Sequence, residues 1–204
     1  MVAPARSGLR RQGLRLEYLT IGWNVIEGIV AIAAGIAAGS IALVGFGFDS
    51  SIEVFAATVV VWHFRAEERR GGVDETRERR ALRLIAGTFF VLAAYVVAEA
   101  VRDLVTSTEP ETSLVGIVVA CLSLLVMPAL ALAKRRVGRQ LGSATLVADS
   151  TETFLCSWLS AILLMGLVLN ATVGWSWADP LAALGIAALA AREGVEAWRG
   201  DECG

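Results

Sequence analysis

Residues 41–64 read IALVGFGFDSSIEVFAATVVVWHF. The stretch is long enough for a membrane-crossing helix, which needs about 20 mostly apolar residues to cover roughly 30 Å of hydrocarbon. It also holds two acids, Asp49 and Glu53. Four positions apart, they fall on one face of a helix, one turn from each other. Acids are costly in lipid, so a helix that carries two on one face turns that face toward a bundle interior or a pathway. This segment predicts an all-α membrane protein whose polar residues point inward.

The rest of the chain fits that reading. Its 204 residues are 56% hydrophobic, above the roughly 45–50% of soluble domains, and its mean hydropathy is +0.64. Six spans are expected, at about 16–38, 41–64, 81–105, 113–133, 144–171 and 178–195. Together they form a six-helix transmembrane domain over 16–198, between an N-terminal tail at 1–15 and a C-terminal tail at 199–204. The connections are short except for a polar one at 65–80. The first apolar run is too long for the h-region of a signal peptide, and another follows at once. A net charge of −2 and the lack of any nucleic-acid motif exclude a nucleic-acid partner. Cys121, Cys156 and Cys203 are too scattered for a disulfide framework or zinc ribbon, and a single histidine, His63, rules out a two-histidine protease helix.

Orientation follows from basic residues, which accumulate on the cytoplasmic side. Seventeen of the eighteen lie in the N-terminal region (from Arg6 to Arg15), around the second connection (from Arg65 to Arg83), in the fourth (Lys134, Arg135, Arg136, Arg139) or at the C-terminal end (Arg192, Arg199). Arg102, beside Asp103, is the exception, and the connections near Gly39, Glu109 and Gly174 have none. Both termini are therefore expected in the cytoplasm. Trp62 and Trp198 are expected at the inner interface and Trp175 and Trp177 at the outer one. Asp179-Pro180 reads as an N-cap followed by proline at the first position of the last helix. Gly28, Gly35 and Gly39 offer small faces for close helix packing.

The fifth span carries Asp149, Glu152 and Cys156. At about 1.5 Å per residue, Asp49 lies roughly 12 Å and Glu53 roughly 18 Å below the outer surface, and Glu152 and Cys156 lie at the same two distances above the inner one. Asp49 is then level with Cys156 and Glu53 with Glu152. If the two helices face each other, three carboxylates and a thiol converge near the midplane, a donor set for a divalent transition metal. Crowded acids in a dry place hold protons when empty, and a metal needs them deprotonated, so metal and proton compete. The bland alternatives are a structural polar contact for Asp49 and Glu53 and a small buried hydrophobe for Cys156. Asp149 is either an entry-path or helix-orienting residue or part of the site. Asn24 reads as an interhelical hydrogen-bonder, Glu27 as a proton or ion pathway group or a paired acid, and both, with Asp149, as candidates for the entry path or second shell of the site; Glu99 reads as a partner of Arg102 or a protonated acid. His63 reads as interfacial, and Cys121 as packing.

The stretch GSIALVGFGFDSSIE, with Asp49 and Glu53 in ligand positions, and LVADSTETFLC, with Glu152 and Cys156 in ligand slots after Asp149, resemble the second and fifth spans of the cation diffusion facilitator family. WADPLAALGIAALA resembles the start of its sixth span, and Asn24 fits a position in its first. The resemblance runs from about Leu16 to Trp198. It implies a homodimeric, multi-pass carrier of the bacterial plasma membrane that exports zinc or a similar divalent cation in exchange for protons. The metal would be transported substrate, not a permanently bound cofactor. The family's usual His and Asp ligands are replaced here by Asp, Glu, Glu and Cys, a set that suits Zn, Mn, Fe, Co or Cd. No His-rich segment lies between the fourth and fifth spans, and the chain ends just after the sixth, so the family's cytoplasmic domain is not expected. A non-transporting membrane metal sensor or assembly module with the same fold is the alternative. A lipid-headgroup enzyme would need acids near an interface, whereas these lie deep.

Overall fold

The computed structural model describes residues 3–70, 75–106, 111–175 and 177–199. Six helices account for nearly all of them: α1 (Ala3–Ala38), α2 (Ile41–Arg70), α3 (Glu75–Thr106), α4 (Leu114–Leu141), α5 (Ala144–Val173) and α6 (Ala178–Arg199). Short connections between long helices make neighbours alternate in direction. The starts of α1, α3 and α5 thus share one end of the bundle with the ends of α2, α4 and α6. Contacts at that end agree: Arg83 of α3 lies over the Trp198 ring of α6, and a Cβ added to Gly13 of α1 would stand 3.1 Å from Phe64 of α2.

The helices stop where local chemistry makes them stop. Ser113 and Ser143 cap α4 and α5, accepting from the amides of Gly116 and Leu146. Gly142 and Gly174 end the same helices in left-handed conformations, which glycine adopts without steric cost. Gly39 turns the chain between α1 and α2 at φ 65°. Among the described residues nothing lies within 4 Å of a Cβ built on it, and the role seen for it there is the turn. Asp179 also departs from its expected role. It sits inside the first turn of α6, and its carboxylate accepts from Ser40 Oγ (2.5 Å) and the amide of Ala42 (3.3 Å). It therefore caps the start of α2, because the free amides of that neighbouring helix end are within its reach.

The helices reach beyond the expected spans. α1 runs back to Ala3, and α2 and α3 extend into the expected polar connection, leaving only 71–74 between them. Arg and Glu favour helix, so a polar segment leaving the apolar layer need not unwind. Among the described residues, four helices are long and apolar enough to cross a membrane by themselves: Ser7–Ala38, Ile41–Ala66, Leu114–Leu141 and Thr145–Val173. α3 and α6 pack on each other. Glu109 and Cys203, which the sequence reading touched, lie outside the described residues, as does the side chain of Asp103.

Polarity is arranged inside out relative to a water-soluble bundle. Ile36, Leu114 and Leu125 are each at least 70% exposed, while Glu17, Asn24, Glu27, Ser123, Lys134 and Thr153 are no more than 3% exposed. That pattern suits a surround of hydrocarbon, where apolar side chains face out without penalty and polar ones seek one another. Pairing is tightest between α1 and α2, α4 and α5, and α3 and α6; α1 also packs on α4, and α2 touches α5. The α1–α2 seam depends on absent side chains. A Cβ on Gly35 would lie 2.7 Å from Val44 Cγ2 and 2.8 Å from Val44 N, and one on Gly28 3.0 Å from the carbonyl oxygen of Gly47. Gly35→Ala is accordingly expected to destabilise the protein by about 1–3 kcal/mol, read as a lower Tm in detergent. An unchanged Tm would mean that the two backbones do not approach this closely.

Candidate metal centre

α2 and α5 lie side by side, and the turns that carry the candidate ligands face a common space. Asp49 and Glu53 of α2 and Glu152 and Cys156 of α5 line one small pocket. Phe89 of α3 and the aliphatic side chains of Ile52, Ala56, Leu155 and Leu159 complete its wall. Asp49, Glu53 and Cys156 are buried, and Glu152 is half-buried. The i, i+4 spacing on each helix is what turns both members of each pair to the same side. The pocket as it stands is looser than a closed metal site: among the described residues, no three His, Cys, Asp or Glu side chains gather tightly enough to hold an ion. A pocket of this kind needs inward movement of its side chains to complete a coordination shell.

Glu53 is buried at the inner side of the pocket wall, next to the polar interior. Lys134, Asp149, Thr153 and Cys156 surround it, yet neither of its carboxyl oxygens makes a hydrogen bond among the described residues. A buried carboxyl without a fixed partner is costly and ready to accept a proton or a cation. Asn24 and Glu27 lie outside the pocket, on α1. Asn24 Nδ2 donates to the Thr20 carbonyl at 3.0 Å, a bond within its own helix. Glu27 Oε2 accepts from Ser50 Oγ at 3.2 Å, and Ser123 and Trp23 stand beside it. Ser123 in turn meets Ser160 of α5 at 3.0 Å, so a polar seam crosses α2, α1, α4 and α5. Glu99 pairs with Arg102 at 3.2 Å on an exposed face. His63 is half-buried beside the Phe64 ring, and Cys121 is half-buried in α4; neither lines the pocket.

Asp149 is absent from the pocket wall, and its surroundings explain why. Its carboxylate binds the ammonium of Lys134 at 2.5 Å. The same ammonium donates to Thr153 Oγ1 (3.2 Å) and lies 3.1 Å from Glu17 Oε2, an ion pair short of hydrogen-bond geometry. Lys134 and Glu17 are fully buried and Asp149 is 4% exposed. Lys134 is thus not a residue of the fourth connection, as the charge pattern suggested, but part of a buried knot joining α1, α4 and α5.

Helical periodicity carried the signal that reading missed. Lys134 continues the buried stripe Gly116, Ala120, Ser123, Met127, Ala131 of α4. Glu17 occupies the same place on α1, in line with Gly13, Thr20, Asn24 and Ala31. Lys134 is also the one lysine beside seventeen arginines. A compact ammonium on a flexible stem fits a small three-oxygen cage that a planar guanidinium would not.

Residues 18–199 match the family profile of the cation efflux transmembrane domain. Over 173 residues the chain is 25% identical to the uncharacterized transporter sll1263 of Synechocystis sp., an alignment covering 82% of this chain and 56% of that protein. It is 24% identical over 184 residues to the magnetosome protein MamB of Magnetospira sp., covering 88% of this chain and 61% of that one. The chain therefore spans less than two thirds of the length of either relative.

The knot makes a ranked prediction. Asp149→Ala removes the closest counter-charge of a sealed ammonium and is expected to cost about 3–5 kcal/mol. Glu17→Gln keeps Asp149 in place and is expected to cost clearly less. Thermal unfolding of the two variants in detergent checks the order, and a reversed order would refute the assigned geometry.

Proposed function

The chain belongs to the cation efflux transmembrane domain family, and from that premise we propose that it is a secondary transporter exporting a zinc-like divalent transition-metal cation from the cytoplasm in exchange for protons. The observation that supports this reading is that Asp49, Glu53, Glu152 and Cys156 line a common pocket. Three carboxyls and a thiol supply oxygen and sulfur donors, which suits Zn, Mn, Fe, Co or Cd more than the larger all-oxygen shells of calcium. In this mechanism the cation is cargo. Asp49 and Glu53 receive it from one helix, Glu152 and Cys156 from the other, and the side chains close inward to complete its shell.

Proton exchange follows from ligand chemistry. Without the cation, acids crowded in a dry pocket hold protons, because two adjacent buried charges of like sign are unfavourable. The cation binds the deprotonated forms and displaces those protons. Release of the cation on the far side lets protons return from that side, which completes an antiport cycle. In the proposed orientation both termini face the cytoplasm of a bacterial plasma membrane and the carrier works as a homodimer.

Two measurements test the reading. Flux of divalent cations into inverted vesicles or proteoliposomes under a pH gradient is expected for the unsubstituted chain and is expected to fall at least about tenfold in Asp49→Ala and Glu53→Ala, since each loses a charged ligand. Unchanged flux in both variants would leave the sensor or assembly-module reading in its place. In a weakly buffered zinc titration, proton release is expected to accompany binding and to grow smaller as pH rises, because fewer protons remain on the ligands. Binding without any proton release would remove the exchange step.

A further inference from the structure

The Lys134 knot has a definite place between the pocket and one end of the bundle. On α5, Asp149, Thr153, Cys156 and Ser160 are all buried and share one face. Asp149 precedes Cys156 by seven residues, which sets the knot about 10 Å from Cys156 toward the end that carries the termini. Beyond it, toward the same end, Val60, Phe64, Val137 and Leu146 form a separate apolar cluster. On the α1, α2, α4 and α5 side of the bundle, the order from that end toward the level of the pocket is thus an apolar cluster and then an ammonium clasped by α1, α4 and α5. Lys134 also has Glu53, a pocket residue, as an electrostatic neighbour. Lys134 therefore stands next to the pocket without lining it.

We infer that Lys134 is a positioning residue for cation passage: its ion pairs with Asp149 and Glu17 hold the pocket closed toward the end of the bundle that carries the termini, and they must part before a cation can pass. The inference rests on the proposed transport for the word cation; the closure itself does not depend on it. Two physical arguments support it. A divalent cation cannot pass an unmoved ammonium in a low-dielectric channel, because like charges repel strongly there. An ammonium sealed from water leaves its carboxylates only when a replacement partner is near, and Glu53 is a nearby carboxyl whose oxygens make no hydrogen bond of good geometry among the described residues. The knot also acts on the ligands directly. Asp149 and Thr153 flank Glu152 in sequence, so fixing them to α4 fixes the α5 turn that points Glu152 and Cys156 into the pocket.

Cys156 is a built-in reporter of this closure, and reading it needs no transport. The experiment uses the full chain with Cys121→Ala, in membrane vesicles of both orientations, treated with a membrane-impermeant maleimide. Cys203, next to the C-terminal residue, marks the side on which the termini lie. In the parent, labelling of Cys156 from that side is expected to be slow. In Lys134→Met it is expected to rise about tenfold or more from that side only, since removing one partner of a buried ion pair shifts an opening equilibrium by more than one decade. Unchanged labelling overturns the inference. So does an equal rise from both sides, which is what a loosened bundle or a more reactive thiol would give. Should Lys134→Met fail to accumulate in membranes, Thr153→Val removes one of the three oxygens around the ammonium and is expected to give a smaller rise with the same sidedness. Cation flux is measured on the same vesicles. Absence of flux in the parent removes the proposed function and leaves the labelling result standing.

Discussion

An ammonium ion sealed inside a helix bundle must find its counter-charges there, since neither lipid nor bulk water can reach it. Lys134 meets this constraint with Asp149, Glu17 and the hydroxyl of Thr153. These partners come from two other helices, so satisfying one charge fixes the relative positions of α1, α4 and α5. The α5 turn that bears Glu152 and Cys156 lies directly above, and α2, held to α1 through glycine contacts, brings Asp49 and Glu53 to the opposite wall. The pocket is thus a consequence of how the charges beneath it are paired.

The same constraint explains the unequal treatment of the buried acids. Asp149 has a fixed cation and a defined role in holding helices. Glu27 has hydroxyl neighbours on two other helices and belongs to a seam of modest polar contacts. Glu53 has the least settled surroundings of the three, with neither oxygen in a hydrogen bond among the described residues. In a low-dielectric interior, an acid that structure leaves unsatisfied is the one most available to a mobile charge. The division of labour between acids that hold the bundle and acids that face the pocket follows from which of them the resident ammonium can reach.

Small residues make this arrangement possible. Gly28 and Gly35 let α1 approach α2 so closely that an added methyl at Gly35 would strike Val44. Without a hydrophobic driving force between helices in lipid, such close approach and the polar contacts it permits supply the attraction. At the opposite end from the knot, Asp179 of α6 caps α2 across the interface, so each end of the bundle is tied by a buried acid acting on another helix.

Much of this was legible from residue order. The length of the apolar runs determined a helical membrane bundle, because no other backbone arrangement of that length satisfies its hydrogen bonds in hydrocarbon. The i, i+4 spacings of Asp49 with Glu53 and of Glu152 with Cys156 determined that each pair shares a helix face. The tertiary structure decided the rest. Charge counting put Lys134 in a connection because an arginine-rich segment follows it, and Glu17 drew no notice so close to the chain start. Periodicity alone could have set both on buried stripes, but whether a stripe meets lipid, water or a counter-charge depends on which helix packs against it. Asp179 likewise looked like the cap of its own helix until the start of α2 was found beside it. Spacing along a chain fixes direction around one helix; partners are chosen between helices, and that choice belongs to the packed bundle.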